Sequence, residues 1–178
     1  MEHYNKKMSI KVYNNFLEND HSQQIFNFVI NSYYKIGWVD SDEPQHRAYP
    51  NLHSEYSEKD LSKIKMLDPI LKTLKIPKKH FYKCVVNLTK PLDINFTHVH
   101  PNSVVALYYA NFTWNPEWGG ETIFYKKDRK TISLANPYTP NQLIVFDGKI
   151  PHTIKSQNLI GPSYRFTISL FFKKNERI

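Results

Sequence analysis

Three histidines have the residue type and the spacing of a metal site. His98 and His100 stand two apart in a segment that predicts a β-strand, so both side chains should leave the same face. His152 follows much later, where another strand is predicted to begin. Ligands arranged in this way can hold non-haem iron(II) on one side and leave open positions opposite. An isolated His-x-His pair is more often ordinary surface or core, so the metal hypothesis depends on His152 and on the arginine that follows it.

Arg165 supplies a cation on the last predicted strand of the chain. Thr167 and Ser169 share its face by strand alternation. A planar guanidinium and two hydroxyls together suit a carboxylate, which the fork of donors binds at two points. Of the open positions on the metal, two fit a bidentate 2-oxo acid and one fits O2. The pattern therefore predicts a cosubstrate whose far carboxylate meets Arg165.

Composition narrows the classes of protein. The chain has 178 residues and fits one domain, and 15% aromatic residues favour strands over a helical bundle. A single cysteine, Cys84, excludes an internal disulfide, a zinc ribbon and an iron–sulfur site. The N-terminus is polar, and no apolar run approaches the roughly 20 residues of a membrane span. We therefore expect a soluble, cytoplasmic protein without a membrane partner.

The net charge of +8 is concentrated between Lys59 and Lys90, where nine lysines accompany two acidic residues. A patch for an acidic partner is one interpretation, and a solvated helical face is the more ordinary one. No arginine cluster accompanies these lysines, so nucleic acid is not a favoured partner.

The first 80 residues are predicted to form helices and a long loop. Gly37 should end a helix that begins near residue 20. The polar segment Asp40–Tyr56 shows neither a helical nor a strand period and is predicted to be a loop, of a length that often forms a lid or binding element. Ser57 and Asp60 resemble a capping box that opens the next helix.

From Phe81 onward the apolar pattern has the period of two that is typical of strands. The fold class expected is mainly β (α+β), a jelly roll with N-terminal supporting helices, in a single domain 1–178 with helical support in 1–80 and a core in 81–173. The predicted strands are Phe81–Leu88, Ile94–His100, Val104–Asn111, Glu121–Tyr125, Thr131–Leu134, Leu143–Phe146, His152–Lys155 and Arg165–Phe172.

Five blocks, in order along residues 81–173, resemble the prolyl 4-hydroxylase-type family of iron(II)- and 2-oxoglutarate-dependent oxygenases. The blocks are Thr97-His-Val-His-Pro-Asn, Leu107-Tyr-Tyr-Ala-Asn, Trp114-Asn-Pro-Glu-Trp-Gly-Gly-Glu-Thr-Ile-Phe, Gln142-Leu-Ile-Val-Phe-Asp-Gly-Lys-Ile-Pro-His and Tyr164-Arg-Phe-Thr-Ile-Ser. The resemblance implies a double-stranded β-helix. It also implies that His98 and His152 bind iron, and that Arg165 and Tyr109 hold the distal carboxylate of 2-oxoglutarate. Tyr108 should point away from the site by alternation.

The third ligand position departs from the family motif His-x-Asp, because it is occupied by His100. Imidazole in place of a carboxylate leaves the site one unit more positive and changes which metal fits. Three alternatives stay open: His100 is the ligand, another acid serves, or iron chemistry is lost. We favour His100, and the nearest acids in sequence are Asp93, Glu121 and Asp147.

The resemblance implies an oxygenase that converts 2-oxoglutarate and O2 to succinate and CO2 while hydroxylating an unactivated C–H bond, with ascorbate as a candidate reductant. The substrate implied is a peptidyl proline, an amino acid or another small molecule. A nucleic-acid demethylase is less favoured, because Phe171 stands where such enzymes carry a second arginine. The alternative is a three-histidine, cupin-like jelly roll that is either a dioxygenase without 2-oxoglutarate or a non-catalytic binding protein.

Overall fold

Two antiparallel sheets pack face to face in the computed structural model, which describes residues 10–39, 43–74 and 76–174. The larger sheet has the strand order β1-β8-β5-β10-β4-β3-β2, and the smaller one β7-β6-β9. The strands are β1 Lys11–Tyr13, β2 Lys35–Trp38, β3 Asn51–Ser57, β4 Phe81–Thr89, β5 Ser103–Tyr109, β6 Thr122–Tyr125, β7 Ile132–Asn136, β8 Leu143–Asp147, β9 His152–Ile154 and β10 Arg165–Lys173. The helices are α1 Asn19–Ile30 and α2 Asp68–Thr73, with 3-10 segments Pro44–Ala48, Glu58–Leu67, Lys78–His80 and Pro116–Trp118.

The large sheet is covered by helices on one face and by the small sheet on the other. Successive side chains of β10 point to these two faces in turn. Phe166 and Ile168 belong to an apolar cluster with Ile25 of α1 and Ile70 of α2, so this face packs against the helices. Phe171 belongs to the other cluster, where the two sheets meet. Because side chains alternate, Arg165, Thr167 and Ser169 share the inner face with Phe171. The fold is the expected jelly roll, mainly β, with helices on one outer face.

Seven of the eight predicted strands are present, with ends shifted by one or two residues. The prediction of a strand over Ile94–His100 is wrong: this segment has no ladder of its own and forms only an isolated bridge between His98 and His152. Leu92, just before it, has a positive φ of 67°, which turns the chain out of the strand direction.

The prediction of a loop over Asp40–Tyr56 is wrong for residues 51–56, whereas residues 43–50 contain a short 3-10 segment and neither a strand nor an α-helix. Asn51–Ser57 forms β3, which pairs antiparallel with β4 over six residue pairs. Its alternation is hidden because Asn51 and His53, although polar, are buried. The N-terminal third therefore adds strands as well as helices to the core, and residues 40–42 lie outside the described part of the chain.

The helix predicted to end at Gly37 ends earlier, at Ile30. Gly37 lies in β2 with φ +140°, where the register against β3 shifts. The capping box of Ser57 and Asp60 is confirmed: the Asp60 carboxylate accepts from the Ser57 amide at 3.0 Å, and the Ser57 hydroxyl accepts from the amide of Lys59. No helix among the described residues has both the length and the hydropathy needed to cross a membrane.

Candidate metal and cosubstrate site

The three predicted histidines lie together between the two sheets. One ring nitrogen from each of His98, His100 and His152 lies within 4.8 Å of the others. The backbones of His98 and His152 are joined by two hydrogen bonds of 3.0 and 3.1 Å, which bring their rings to 4.4 Å between centroids. The paired backbones, rather than a regular strand, therefore place the first histidine beside the start of β9.

His100 is held by the turn after β8. Its amide donates to the Gly148 carbonyl at 2.7 Å. A Cβ at Gly148 would lie 2.2 Å from the carbonyl oxygen of His100, a distance that no side chain tolerates. The His100 ring meets the edge of Phe171 at 4.8 Å between centroids. The third ligand thus depends on a glycine close to it in space and distant in sequence.

Two of the rings are fixed in one tautomer by backbone carbonyls. His98 Nδ1 lies 2.9 Å from the carbonyl oxygen of Phe96, and His152 Nδ1 lies 2.9 Å from that of Ile150. A carbonyl only accepts, so each Nδ1 carries the proton and donates it. The Nε2 lone pairs are then free for a metal, which is the usual support of a metal-binding histidine.

His100 and His152 favour the neutral imidazole. Burial lowers the pKa of His152 well below its usual value, and the neighbouring His98 and His100 lower it further. Burial likewise lowers the pKa of His100 to about 3, with His98 and Lys83 adding to the effect. Neutral imidazole is the form that binds a metal ion, so His100 and His152 are ready ligands near neutral pH.

The alternative acids do not join the triad. The Asp93 carboxylate accepts from the Lys90 amide at 2.7 Å, and Asp147 pairs with Lys174. Glu121 lies near the guanidinium of Arg165, where its charge opposes the lowering of the arginine pKa by burial. Within the described ranges, the metal-ligating group at this place consists of the three histidines alone.

Arg165 is fully buried and only partly satisfied. Its Nε donates to the Gly120 carbonyl at 3.0 Å, and its guanidinium carbon lies 4.6 Å from the ring centroid of Tyr138 and 5.6 Å from that of Tyr109. Among the described residues, neither terminal guanidinium nitrogen has a hydrogen-bond partner, and the buried Thr167 hydroxyl has none either. Burial lowers the pKa of Arg165, with the tyrosines and Glu121 opposing. Unpaired buried donors are costly, so these residues fit an anion such as a carboxylate.

Gly120 shapes the space around this guanidinium. It has φ +88°, and a Cβ there would lie 3.0 Å from the indole of Trp114 and 3.1 Å from Arg165 Nε. The arginine side chain therefore depends on the absence of a side chain at residue 120.

Two other predicted residues have more specific surroundings than the sequence indicated. The Tyr109 hydroxyl donates to Thr122 at 2.7 Å and accepts from Asn136 at 3.2 Å, so it is already engaged. Its ring stacks on Tyr138 at 4.4 Å. Ser169 lines the pocket beside the triad. Tyr108 faces the helices, as alternation predicted.

One wall of that pocket was not predicted from the sequence. The wall comes from residues that the sequence gave no reason to select, namely Trp38, Asn51, Asn87, Thr89 and Asn95. The available signal was the weak alternation of Leu52 and Tyr56, which would have indicated β3 and with it Asn51.

Comparison of whole structures gives the same fold. No family profile and no curated protein matches the sequence. A prolyl hydroxylase from Trichoplax adhaerens, in complex with a hypoxia inducible factor peptide fragment, aligns with a TM-score of 0.63 and 20% identity over 94% of this chain and 84% of that one. HygX from Streptomyces hygroscopicus, with nickel and 2-oxoglutarate bound, aligns with a TM-score of 0.62 and 9% identity over 95% of this chain and 84% of that one. The carbocyclase SnoK from nogalamycin biosynthesis aligns with a TM-score of 0.66 and 8% identity over 95% of this chain and 81% of that one. The chain thus has the double-stranded β-helix of prolyl hydroxylases and other 2-oxoglutarate oxygenases.

Proposed function

We propose that the protein is an iron(II)- and 2-oxoglutarate-dependent oxygenase of the prolyl 4-hydroxylase type. The observation that carries the proposal is Arg165, a buried cation with two unpaired terminal nitrogens on the same sheet face as the pocket of the histidine triad. Unpaired donors on a buried arginine are unfavourable, and 2-oxoglutarate supplies both a carboxylate for them and two donor atoms for a metal.

His98, His100 and His152 would hold the metal. Imidazole nitrogens suit iron(II), and a metal bond of about 2 Å draws ligand nitrogens closer than the 4.8 Å limit seen here. We therefore expect the triad to contract when the ion binds. Bound iron(II), with 2-oxoglutarate, would activate O2, the oxidant for C–H hydroxylation, and the residues of the chain would supply position and environment.

Arg165 and Thr167 would bind the far carboxylate by charge-assisted hydrogen bonds. Tyr109 and Tyr138 form an aromatic wall beside the guanidinium, which keeps water away and strengthens that pairing. In this role Tyr109 acts mainly through its ring, because its hydroxyl is engaged with Thr122. Ser169 lies two residues beyond Thr167 on the same face of β10 and lines the triad pocket, so it would contact the middle of the cosubstrate.

The proposed reaction converts 2-oxoglutarate, O2 and a substrate C–H group to succinate, CO2 and a C–OH group. One oxygen atom enters succinate and the other enters the substrate, so atoms and electrons balance. Substrate candidates are a peptidyl proline, an amino acid or another small molecule, and ascorbate is a candidate reductant. A reduced, cytoplasmic setting fits the free, buried Cys84.

The test is an anaerobic titration of the purified protein with iron(II) and then 2-oxoglutarate, followed by the visible metal-to-ligand charge-transfer band. We expect the band in the wild type. His152→Ala should lose metal binding and band together, whereas Arg165→Gln should retain metal and weaken 2-oxoglutarate binding. His21→Ala and Arg129→Gln are matched controls, because both residues are exposed and remote in sequence from the site.

Arg165→Lys separates a folding defect from a binding defect, since it keeps the buried charge and loses the two-point fork. Iron binding without a 2-oxoglutarate band would favour the three-histidine dioxygenase or binding protein instead. The observation that supports this second function is the His-x-His motif, which lacks the carboxylate ligand of the family motif. Failure to bind iron at all would refute both.

A further inference from the structure

Lys83 places an ammonium group against two aromatic rings that line the triad pocket. It lies on the inner face of β4, directly opposite Phe171 of β10 in the ladder. Its Nζ lies 4.6 Å from the ring centroid of Trp38 and 5.5 Å from that of Phe171, and both rings line the pocket. Phe171 in turn touches the His100 ring. The ammonium is therefore one ring away from a proposed metal ligand.

The ammonium group of Lys83 has no carboxylate partner within ion-pair distance among the described residues. Glu55 is the acid next to it on β3, but it is exposed and stands opposite Val85. Asp93, below the pocket wall, is already paired with Lys90 at 3.7 Å. A half-buried cation held against aromatic rings thus keeps its charge available to a ligand.

The pocket lining itself is neutral. It contains neither aspartate nor glutamate among the described residues, and its polar wall consists mainly of asparagine amides. The Asn51 amide donates to Asn95 at 3.0 Å, and the Asn95 amide donates to Ser156 at 3.2 Å. These residues hold one another in place by hydrogen bonds. They carry no negative charge that would repel an anionic ligand. Lys35, opposite His53 in the ladder, adds a second positive charge on this side.

The three-histidine triad adds to this electrostatic bias. Imidazoles contribute no negative charge, so the bound metal would be one unit more positive than with a carboxylate ligand. Both the metal centre and the Lys83 ammonium then attract an anion. The Lys83 ammonium beside neutral amides suits the one charge of a carboxylate, whereas phosphate is usually bound by several converging donors or by an arginine fork.

We infer that the primary substrate carries a carboxylate, which Lys83 binds beside the pocket while the reacting carbon faces the metal. This inference rests on the proposed function, because it concerns what binds beside the metal and 2-oxoglutarate. Lys83 is then a specificity-determining residue at the opposite end of the β10 inner face from Arg165.

The test compares N-acetylated amino acids with their carboxamides, which differ only in the charge of one group. Each pair is titrated calorimetrically into anaerobic protein loaded with iron(II) and 2-oxoglutarate, and succinate formation is then measured in air. We expect at least one acid to bind about tenfold or more tightly than its amide, the effect of one charge-assisted hydrogen bond. Lys83→Gln should abolish that preference and Lys83→Arg should keep it.

Lys127→Gln, which removes an exposed lysine elsewhere, is the matched control and should leave the preference unchanged. Affinity for 2-oxoglutarate should be the same in Lys83→Gln as in the wild type, since Arg165 binds that ligand. The inference is overturned if no acid binds, if the amides bind as tightly, or if Lys83→Gln keeps the preference. Failure of the proposed function is seen separately, as a missing charge-transfer band before any substrate is added.

Discussion

Replacing Gly120 by alanine tests whether the buried arginine is positioned for 2-oxoglutarate. The new Cβ would lie 3.1 Å from Arg165 Nε and 3.3 Å from its Cδ, in a backbone conformation with φ +88°. Strained backbone of this kind costs about 1–3 kcal/mol, and overpacking costs about 1–3 kcal/mol more. A displaced guanidinium loses charge-assisted hydrogen bonds to the carboxylate worth about 1.5–3 kcal/mol. We therefore expect 2-oxoglutarate affinity to fall about 10- to 150-fold.

Gly119→Ala is the matched control. Its φ of +72° gives a similar backbone strain, but its Cβ would meet only ordinary contacts at 3.7 and 3.8 Å. Iron(II) affinity, the charge-transfer titration with 2-oxoglutarate and the free energy of unfolding in urea are measured for both variants. Gly120→Ala should lose 2-oxoglutarate affinity while keeping iron affinity. If it folds and binds 2-oxoglutarate as tightly as Gly119→Ala, the assignment of Arg165 to the cosubstrate is wrong.

Three further predictions concern the triad. Gly148→Ala should weaken metal binding by calorimetry, because the new Cβ would lie 2.2 Å from the His100 carbonyl, whereas Gly37→Ala, with no atom within 4 Å of its Cβ, should not. His100→Asp should shift metal preference toward manganese(II) and away from nickel(II) in competition titrations, because a carboxylate suits the harder ion; an unchanged ranking would show that His100 is not a ligand. Stability of the metal-free protein should fall as the pH drops below about 6.5. His152 and His100 then bind protons in the unfolded state but stay neutral in the folded state, where their pKa values are lowered. The loss should approach about 1.4 kcal/mol per pH unit for each histidine, and His100→Ala should reduce the slope of urea stability against pH. Equal slopes would contradict the lowered pKa of His100.

The sequence predicted the parts of the site that lie on strands with a clear period of two. Arg165 and Thr167 are on β10, where polar and apolar residues alternate from Arg165 to Leu170 and fix the face of each side chain. Tyr109 is on β5, a continuous apolar run, and was predicted from the family resemblance. The proximity of His98 and His100 was expected for a partly wrong reason, since backbone pairing with His152 and Gly148 replaces the predicted strand.

The pocket wall was missed because its strand is polar on the buried face. Asn51 and His53 are buried although they are polar, so the apolar alternation that marks other strands is weak in β3. Its pairing with β4 is a non-local contact that no local pattern shows. The unpaired nitrogens of Arg165 are likewise a property of the assembled interior, because a sequence shows an arginine but not which of its donors lack partners.

The position of β2 at the edge of the large sheet makes it less stable locally than β10. β2 has four residues, lies at the end of the large sheet, and has a register shift at Gly37 beside Trp38. β10, which carries Arg165, lies between β5 and β4 in the middle of the sheet. Amide hydrogens of β10 should therefore exchange only with global opening, whereas those of β2 exchange through fraying of a single edge. We therefore expect Trp38, which contacts the Lys83 ammonium from β2, to move more readily than Arg165 on β10.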